Sequence, residues 1–280
     1  MFIALGILLI CIGIILIWFH ISYSPLKHQF TRDVSRLMAD RTASANEIFT
    51  IGDFENLPPI VQKFISYCGY IGTQKMSFMT AEFRDVAFMQ NQNGPALLID
   101  YTQYNFINVP SRLAFIDSSM FGVPFEGYDY YLGGKGGMKG VIGKAIQLFH
   151  QTGKEMDEAC LVTYLAECMF IPASLLQGYI TFEEINELQV TATIENNGIA
   201  VSGIFTFNEA GEMISFATGN RAIAKSDGTF EYVRWSALCS DYQLSENGIK
   251  YPAIFQAVWN YPEDDFVYFD GIISKISYGE

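Results

Sequence analysis

Histidine is scarce in this sequence, and no two cysteines have the close spacing of a metal-binding motif. The 280 residues include three histidines and five cysteines. Neither a C-x-x-C pair nor an H-E-x-x-H motif occurs, so the sequence predicts neither a zinc site nor a disulfide framework. The G-x-S-x-G motif of many hydrolases is also absent. We therefore expect no metal and no cofactor.

Positive charge is also in short supply. Lysine and arginine total 17 against 30 acidic residues, which gives a formal net charge of -13. A chain of this charge repels a phosphate backbone, so we expect no nucleic-acid partner.

The glycine-rich stretch YLGGKGGMKGVIGK (Tyr131 to Lys144) lacks the spacing of a nucleotide-binding loop. A P-loop requires G-x-x-x-x-G-K followed by Ser or Thr. Here Met138 stands where the first glycine is needed, and Ala145 follows Gly143-Lys144. We expect instead a hairpin turn through Gly133–Gly137.

The chain begins with a long apolar run. Residues Phe2 to Phe19 are 18 apolar residues without a charge, a length that suits a membrane span. A cleaved signal peptide is the rival interpretation, but no basic segment precedes the run and no small-x-small cleavage site follows it. The sequence favours an uncleaved, single-pass membrane anchor at residues 1–23, with residues 2–19 in contact with the membrane.

A juxtamembrane amphipathic helix and linker are predicted at residues 24–52. Between Pro25 and Ala43, apolar residues recur at helical spacing. Lys27, Arg32 and Arg36 follow the span, and by the positive-inside rule they favour a cytoplasmic domain. The fold analogy given below favours the opposite side, so the sequence leaves both sides of the membrane as alternatives for the domain.

Residues 53–280 have the pattern of an antiparallel β domain. Segments rich in Val, Ile, Phe, Tyr and Thr are separated by dipeptides typical of tight hairpin turns. These dipeptides are Asn93-Gly94, Asn197-Gly198, Asp227-Gly228 and Asn247-Gly248. Successive hairpins predict a meander rather than a parallel sheet.

One substantial helix interrupts the strands, at residues 156–177. It is apolar on all sides, so we expect it to be buried inside the domain; its central carboxylate and Pro172 disfavour a second membrane span. Glu167 is the sole charge between Ala159 and Gln177. A buried carboxylate needs a partner. Either Arg221, Arg234 or tyrosine hydroxyls pair with Glu167, or it contacts a ligand or acts as an acid or base.

Several segments resemble those of an uncharacterised bacterial family. The run LVTYLAECMFIPASLL is similar to that family's L-A-E-x-x-x-x-P-x-x-L-L helix, and WSALCSDYQLSENGIKYPAIFQAVW to its W, D-Y, G-x-x-x-P, W pattern. YDYYLGGKGGM and LPPIVQKFISYCG resemble two further motifs. The resemblance covers about residues 57–275. It implies a membrane-associated domain of unknown function and supplies no activity.

The sequence thus predicts an α+β protein: an N-terminal transmembrane helix, then a curved antiparallel sheet, a half-barrel-like meander, packed around one buried helix. This layout resembles the half-open barrels of lipoprotein-carrier and lipid-binding proteins. Our leading hypothesis is non-catalytic binding of an apolar or amphipathic, lipid-like ligand near the bilayer. The predicted ligand-binding residues are Glu167, Tyr164, Trp235, Asp241, Tyr242 and Trp259.

Two alternatives have their own conditions. An enzyme would need Glu167 and either Asp241 or Tyr242 to converge in one open cleft as an acid–base pair. A structural or protein-interaction module would have a solid sheet interior and an apolar exposed sheet face.

Overall fold

The structure is a computed structural model that describes residues 2–39, 47–89, 91–92, 94–219, 221–224 and 229–279. Some sequence predictions lie partly or wholly outside these residues. They are the end of the juxtamembrane helix beyond Ala39, the Asn93-Gly94 and Asp227-Gly228 turns, and the predicted domain limits Met1 and Glu280.

The α-helices within the described residues are α1 (Phe2–His20), α2 (Pro25–Ala39), α3 (Pro59–Cys68) and α4 (Lys154–Glu167). Short 3-10 helices cover Ile51–Phe54, Cys168–Phe170 and Pro172–Leu176. The strands are β1 (Phe78–Met89), β2 (Ala96–Phe106), β3 (Ser111–Met120), β4 (Val123–Leu132), β5 (Lys135–Ile142), β6 (Ile146–Thr152), β7 (Ile180–Asn186), β8 (Gln189–Asn196), β9 (Ile199–Phe207), β10 (Met213–Thr218), β11 (Ala222–Ala224), β12 (Phe230–Tyr232), β13 (Arg234–Leu244), β14 (Lys250–Asn260) and β15 (Asp265–Gly279).

Thirteen of these strands form one antiparallel sheet in the order β6-β5-β4-β3-β2-β1-β15-β14-β13-β10-β9-β8-β7. Neighbours in the sheet are mostly neighbours in sequence, so the predicted meander of hairpins is confirmed. Asn197-Gly198 forms the β8–β9 turn, where both residues have positive φ angles. Gly133-Gly134, also with positive φ, forms the β4–β5 turn within the predicted glycine hairpin.

The sheet curves around α4 without closing into a barrel. Helix α4 contacts β5, second in the strand order, and also β9, eleventh in that order. In a flat sheet these strands would be roughly 43 Å apart, at about 4.8 Å per strand. A helix about 10–12 Å wide touches both only if the sheet wraps around it. The predicted curved sheet around a buried helix is therefore confirmed.

The α-helical part of the buried segment ends at Glu167, ten residues before the predicted end. Two 3-10 turns replace the rest of the predicted helix. Pro172 explains the break, because proline lacks an N–H and disfavours helical backbone in the residue before it. Ile171 accordingly has φ -133° and ψ 74°.

Glycine lets α4 lie directly on β5. A Cβ atom on Gly136 would lie 2.3 Å from the carbonyl oxygen of Met156 in α4. Any larger residue would push the helix away from the sheet. The glycine-rich stretch therefore serves a close approach between helix and strand as well as a turn.

The opposite face of the sheet carries α2. Leu26, Phe30 and Val34 of this helix pack against Leu113 and Phe115 of β3. The intervening residues of β3 point toward α4, since side chains alternate across a strand. Both faces of β3 are therefore covered.

Helix α1 is the one helix of the described residues that is long and apolar enough to cross a membrane. Its end rests on the turn between β5 and β6. Trp18 Nε1 donates a hydrogen bond to the Gly143 carbonyl at 2.9 Å, and Lys144 Nζ donates to the Ile21 carbonyl at 2.5 Å.

Candidate functional site

Glu167 lies at the centre of a buried group of polar side chains, here called the polar cluster. Its Oε2 accepts hydrogen bonds from Gln103 Nε2 at 2.7 Å and Asn105 Nδ2 at 2.8 Å. Arg112 Nε donates to the same oxygen at 2.9 Å. Arg112 also donates to Asp129 Oδ2 at 2.7 Å, and to Tyr101. The arginine partner of Glu167 is thus Arg112, and the expected partners Arg221 and Arg234 are not bonded to it.

The curved sheet places these groups opposite the end of α4. Tyr101, Gln103 and Asn105 are alternate residues of β2, so they share the face that points toward the helix. The register pairs Asn105 with Arg112 on β3. Glu167 is the last residue of α4, where the helix meets β2 and β3.

Burial and hydrogen bonding act in opposite directions on this carboxyl group. Removal from water raises the pKa of Glu167 above its ordinary value, and the Arg112 cation and the Asn105 amide oppose that rise. Both carboxyl oxygens of Glu167 accept hydrogen bonds, Oε2 from three side chains and Oε1 from Arg112 Nε at 3.1 Å. A fully engaged carboxyl group is suited to holding strands and helix together rather than to exchanging protons with a substrate.

Two adjoining cavities lie between α4 and the concave face of the sheet. The inner cavity, of about 120 Å³, is bounded by the polar cluster at one side and by Trp235, Phe255 and Phe269 at the other. The outer cavity has a volume of about 400 Å³. Both are lined by Phe88, Asp129, Met138, Arg221 and Tyr268, so these residues form the junction between them.

Methionine and aromatic side chains line most of the outer cavity. The methionines are Met89, Met120, Met138 and Met156. Methionine is unbranched and flexible, so it adapts to ligands of irregular shape. A volume within roughly 300–1,000 Å³, apolar walls and few polar groups are the usual features of a small-molecule pocket.

Arg221 is the cationic group at the junction. Its guanidinium carbon lies 4.6 Å from the ring centre of Trp235 and 5.6 Å from that of Trp259. One terminal nitrogen donates to the Ala159 carbonyl at 2.8 Å and to the Thr163 hydroxyl. The guanidinium therefore lies between α4 on one side and the two tryptophans, which are register partners on β13 and β14, on the other.

Three of the predicted site residues meet around these cavities. Glu167 and Trp235 line the inner cavity, and Trp259 lines the outer one. Trp235 Nε1 donates to the Tyr268 hydroxyl at 3.1 Å, and the ring of Tyr268 stacks on Trp259. Tyr268 thus joins the two tryptophans into one wall.

The other three predicted residues lie elsewhere. Tyr164 is buried, and its hydroxyl donates to the Phe106 carbonyl at 3.0 Å. Tyr242 donates to the Met213 carbonyl at 2.9 Å, and it follows Trp235 along β13 by seven residues, roughly 23 Å. Asp241 is exposed to solvent. The acid–base pair of Glu167 with Asp241 or Tyr242 is therefore not assembled.

Neither a metal site nor a reactive thiol stands out in the described part of the chain. Among those residues, no group of three or more His, Cys, Asp and Glu side chains is arranged to hold a metal ion. Cys160 lines the outer cavity, and burial raises the pKa of its thiol well above the ordinary value. A protonated thiol is a weak nucleophile.

Sequence reasoning missed Arg112 altogether, and it named Arg221 only as a possible partner of Glu167. Arg112 directly precedes the apolar residues of β3, in a strand buried on both faces, which is an unusual place for a charge. Arg221 precedes the short β11–β12 hairpin and carries no comparable signal.

Comparisons with known proteins give a family and two distant likenesses. A putative outer membrane lipoprotein-sorting protein domain from Vibrio parahaemolyticus shares 8% identity at a TM-score of 0.42, over 78% of this chain and 90% of that one. A DUF1329 family protein from Desulfovibrio piger shares 9% identity at a TM-score of 0.35, with the same coverages. At these TM-scores neither likeness carries an argument about function.

No curated protein matches the sequence. A family profile, by contrast, matches residues 47–271, which is most of the chain and close to the range of the resemblance noted above. This protein therefore belongs to the family of unknown function DUF6544.

Proposed function

We propose that this protein is a membrane-anchored, non-catalytic binding domain for an apolar or amphipathic, lipid-like ligand. The observation that carries the proposal is the pair of adjoining cavities between α4 and the concave face of the sheet. Their walls are mainly apolar side chains, most of them aromatic or methionine.

The interior of the domain favours binding over a purely structural role. A module built only for stability fills its core, because protein interiors are close-packed and empty space costs free energy. Here an open cleft of about 400 Å³ leaves apolar side chains of α4 and the sheet without protein contacts on the side that faces the cleft. A ligand that occupies this space would restore those contacts.

The position of the outer cavity suits a ligand that comes from a bilayer. Met89 at the end of β1 and Met120 at the end of β3 line it, as does Phe266 at the start of β15. Adjacent strands are antiparallel, so these positions lie at one end of the sheet. The β5–β6 turn that contacts Trp18 lies at the same end. Helix α1 would thus hold this end of the domain against the membrane.

Helix α1 itself has the dimensions of an anchor. Its 19 residues span about 28 Å at 1.5 Å per residue, close to the roughly 30 Å of a bilayer core. None of its residues is buried against the domain. Trp18 lies near its end, where tryptophan suits the membrane interface.

The test is the recovery of bound lipid from the full-length protein. The chain would be purified in a mild detergent, and native mass spectrometry would be used to detect co-purified molecules. We expect masses of one or more amphiphiles that stay bound after the detergent is removed in the gas phase. Binding of a fluorescent fatty acid, corrected for empty micelles, provides a second measurement.

A matched pair of variants locates the ligand. Ala159→Leu places a larger side chain in the outer cavity, and we expect it to reduce bound lipid. Ala200→Leu makes the same change at an exposed position of β9 and should leave bound lipid unchanged. Equal lipid content in both variants, or no lipid in the parent protein, would contradict the proposal.

A further inference from the structure

The guanidinium of Arg221 occupies the junction of the two cavities with part of its hydrogen-bonding capacity unused. One terminal nitrogen is bonded to α4 through Ala159 and Thr163. The Nε–H group is buried and has no hydrogen-bond partner among the described residues. A buried donor without an acceptor is costly, so this group is a place where an acceptor would be stabilised.

The carboxylates nearest this junction are already engaged with a different cation. Glu167 and Asp129 both accept hydrogen bonds from Arg112, at 2.9 and 2.7 Å. Within the described ranges, no ion pair within 4.0 Å includes Arg221. The four charged groups that line the inner cavity sum to zero, and three of them, Arg112, Glu167 and Asp129, are paired with one another.

The two tryptophans explain how an unpaired cation is tolerated there. The faces of aromatic rings attract a guanidinium, and Trp235 and Trp259 both lie within 6 Å of this one. They leave the edge of the guanidinium plane free. That edge, formed by Nε and a terminal nitrogen, is the one that binds a carboxylate or a phosphate through two parallel hydrogen bonds.

We propose that Arg221 binds the anionic head group, carboxylate or phosphate, of an amphiphile whose hydrocarbon chain occupies the outer cavity. This inference rests on the proposed function and makes it more specific. The apolar walls provide affinity for the chain, and Arg221 selects the charge of the head group. Charge-assisted hydrogen bonds are worth more than neutral ones, so a preference of roughly tenfold or more for an anionic head is expected.

The test compares three amphiphiles that carry the same oleoyl chain. Equal amounts of oleate, oleoyl lysophosphatidic acid and monooleoylglycerol would be added to the full-length protein in detergent. The protein would then be captured on an affinity resin and washed, and the extracted amphiphiles quantified by mass spectrometry against protein-free micelles. We expect the neutral glyceride to be retained about tenfold less than at least one anion. Retention of oleate or of the phosphate compound identifies which head group is preferred.

Variants of Arg221 assign the preference to this residue. Arg221→Gln removes the charge and should bring retention of the three amphiphiles to similar levels, whereas Arg221→Lys should retain part of the preference for anions. Arg84→Gln removes an exposed arginine outside both cavities and should change nothing. Circular dichroism checks that each variant is folded.

The two proposals fail in different ways. If the parent protein retains monooleoylglycerol as well as the two anions, the role of Arg221 is wrong and lipid binding stands. If it retains none of the three, the proposed function itself fails. The parent comparison needs no variant, so it decides the question even if Arg221→Gln does not fold. An anion preference that persists in a folded Arg221→Gln variant would also overturn the inference.

Discussion

Two arginines face the interior of the curved sheet and differ in their partners, since Arg112 is paired with carboxylates and Arg221, within the described ranges, is not. Arg112 is enclosed by Glu167, Asp129, Gln103 and Tyr101, and each of its nitrogens donates to one of them. Among the described residues, Arg221 has only a backbone carbonyl and a hydroxyl as hydrogen-bond partners, and it borders both cavities. Arginine thus stabilises the fold at position 112, whereas at position 221 it borders space that a ligand could fill.

Burial of a charge therefore does not by itself indicate function. Glu167 is a conspicuous charge in an apolar helix, yet both of its carboxyl oxygens accept hydrogen bonds from neighbouring side chains. Arg221, which has an unused hydrogen-bond donor in the described part of the chain, is not conspicuous in the sequence. In this fold, the unfilled hydrogen-bonding capacity marks the candidate site better than the perturbed carboxyl group does.

The largest expected difference concerns stability. Arg112→Met leaves two carboxylates without their cation and should lower the free energy of unfolding by roughly 3–5 kcal/mol. Arg221→Met removes hydrogen bonds to one carbonyl and one hydroxyl but leaves no carboxylate of the described residues unpaired, so it should lower the free energy of unfolding by only about 1–2 kcal/mol. Urea unfolding of both variants measures the difference. Similar losses of unfolding free energy in the two variants would show that Arg112 and Arg221 do not differ in their contribution to stability.

The next effect is the coupling inside the polar cluster. A double variant, Arg112→Met with Glu167→Met, removes both members of the central pair. The double variant should lose less free energy of unfolding than the sum of the losses in the two single variants. The difference should be about 1–3 kcal/mol, because residues in one network are not independent. Adding Arg221→Met to Glu167→Met is the matched control and should be additive. A coupling near zero between Arg112 and Glu167 would contradict the pairing.

A third prediction contrasts Glu167 with Asp53, which lies near the surface. Burial raises the pKa of Glu167, so its contribution to stability is present below the ordinary value of 4.5 and is lost as pH rises through the higher folded value. The hydrogen bond from Lys75 and those from Thr50 lower the pKa of Asp53 to about 2. Its contribution is therefore present above the ordinary value of 3.8 and is lost as pH falls through about 2.

The measurement is the stability of the parent protein relative to Glu167→Gln and to Asp53→Asn at several pH values. The two differences should have opposite slopes. The same slope for both would mean that burial does not dominate at Glu167.

The smallest effect is expected outside both regions, at the β3–β4 turn. Phe121 is fully exposed there and has a φ angle of +53°, which is unfavourable for a bulky residue. Phe121→Asn creates an Asn-Gly turn with Gly122 and should stabilise the protein by roughly 1 kcal/mol or less. Phe121→Ala keeps the unfavourable backbone and should give no such gain. Thermal unfolding distinguishes the two.

Much of the fold follows from local sequence signals. The Asn-Gly and Gly-Gly turns predict hairpins because few residues tolerate positive φ. The apolar helix with a single charge predicts burial. Pro172 lies within the predicted helix. It disfavours helical backbone in the residue before it, and the α-helix accordingly ends at Glu167.

The candidate site was harder to predict because it depends on register and on contacts between distant residues. In β2 the run Tyr101 to Phe106 carries polar and aromatic residues at both odd and even positions, so the inward face cannot be assigned from the alternation. Arg112 meets Glu167 across 55 residues. Trp235 and Tyr242 are both predicted ligand-binding residues, but they lie near opposite ends of β13.

The pairing of β1 with β15 at the middle of the sheet has a consequence for biosynthesis. Strand β15 follows the other described strands in the sequence, and it lies between β1 and β14 in the sheet. Each arm of the sheet can pair internally before β15 is synthesised, but the two arms become one hydrophobic enclosure only after translation has passed residue 279. A polypeptide released before that point would expose the aromatic interior of both arms and would be a substrate for chaperones or proteases.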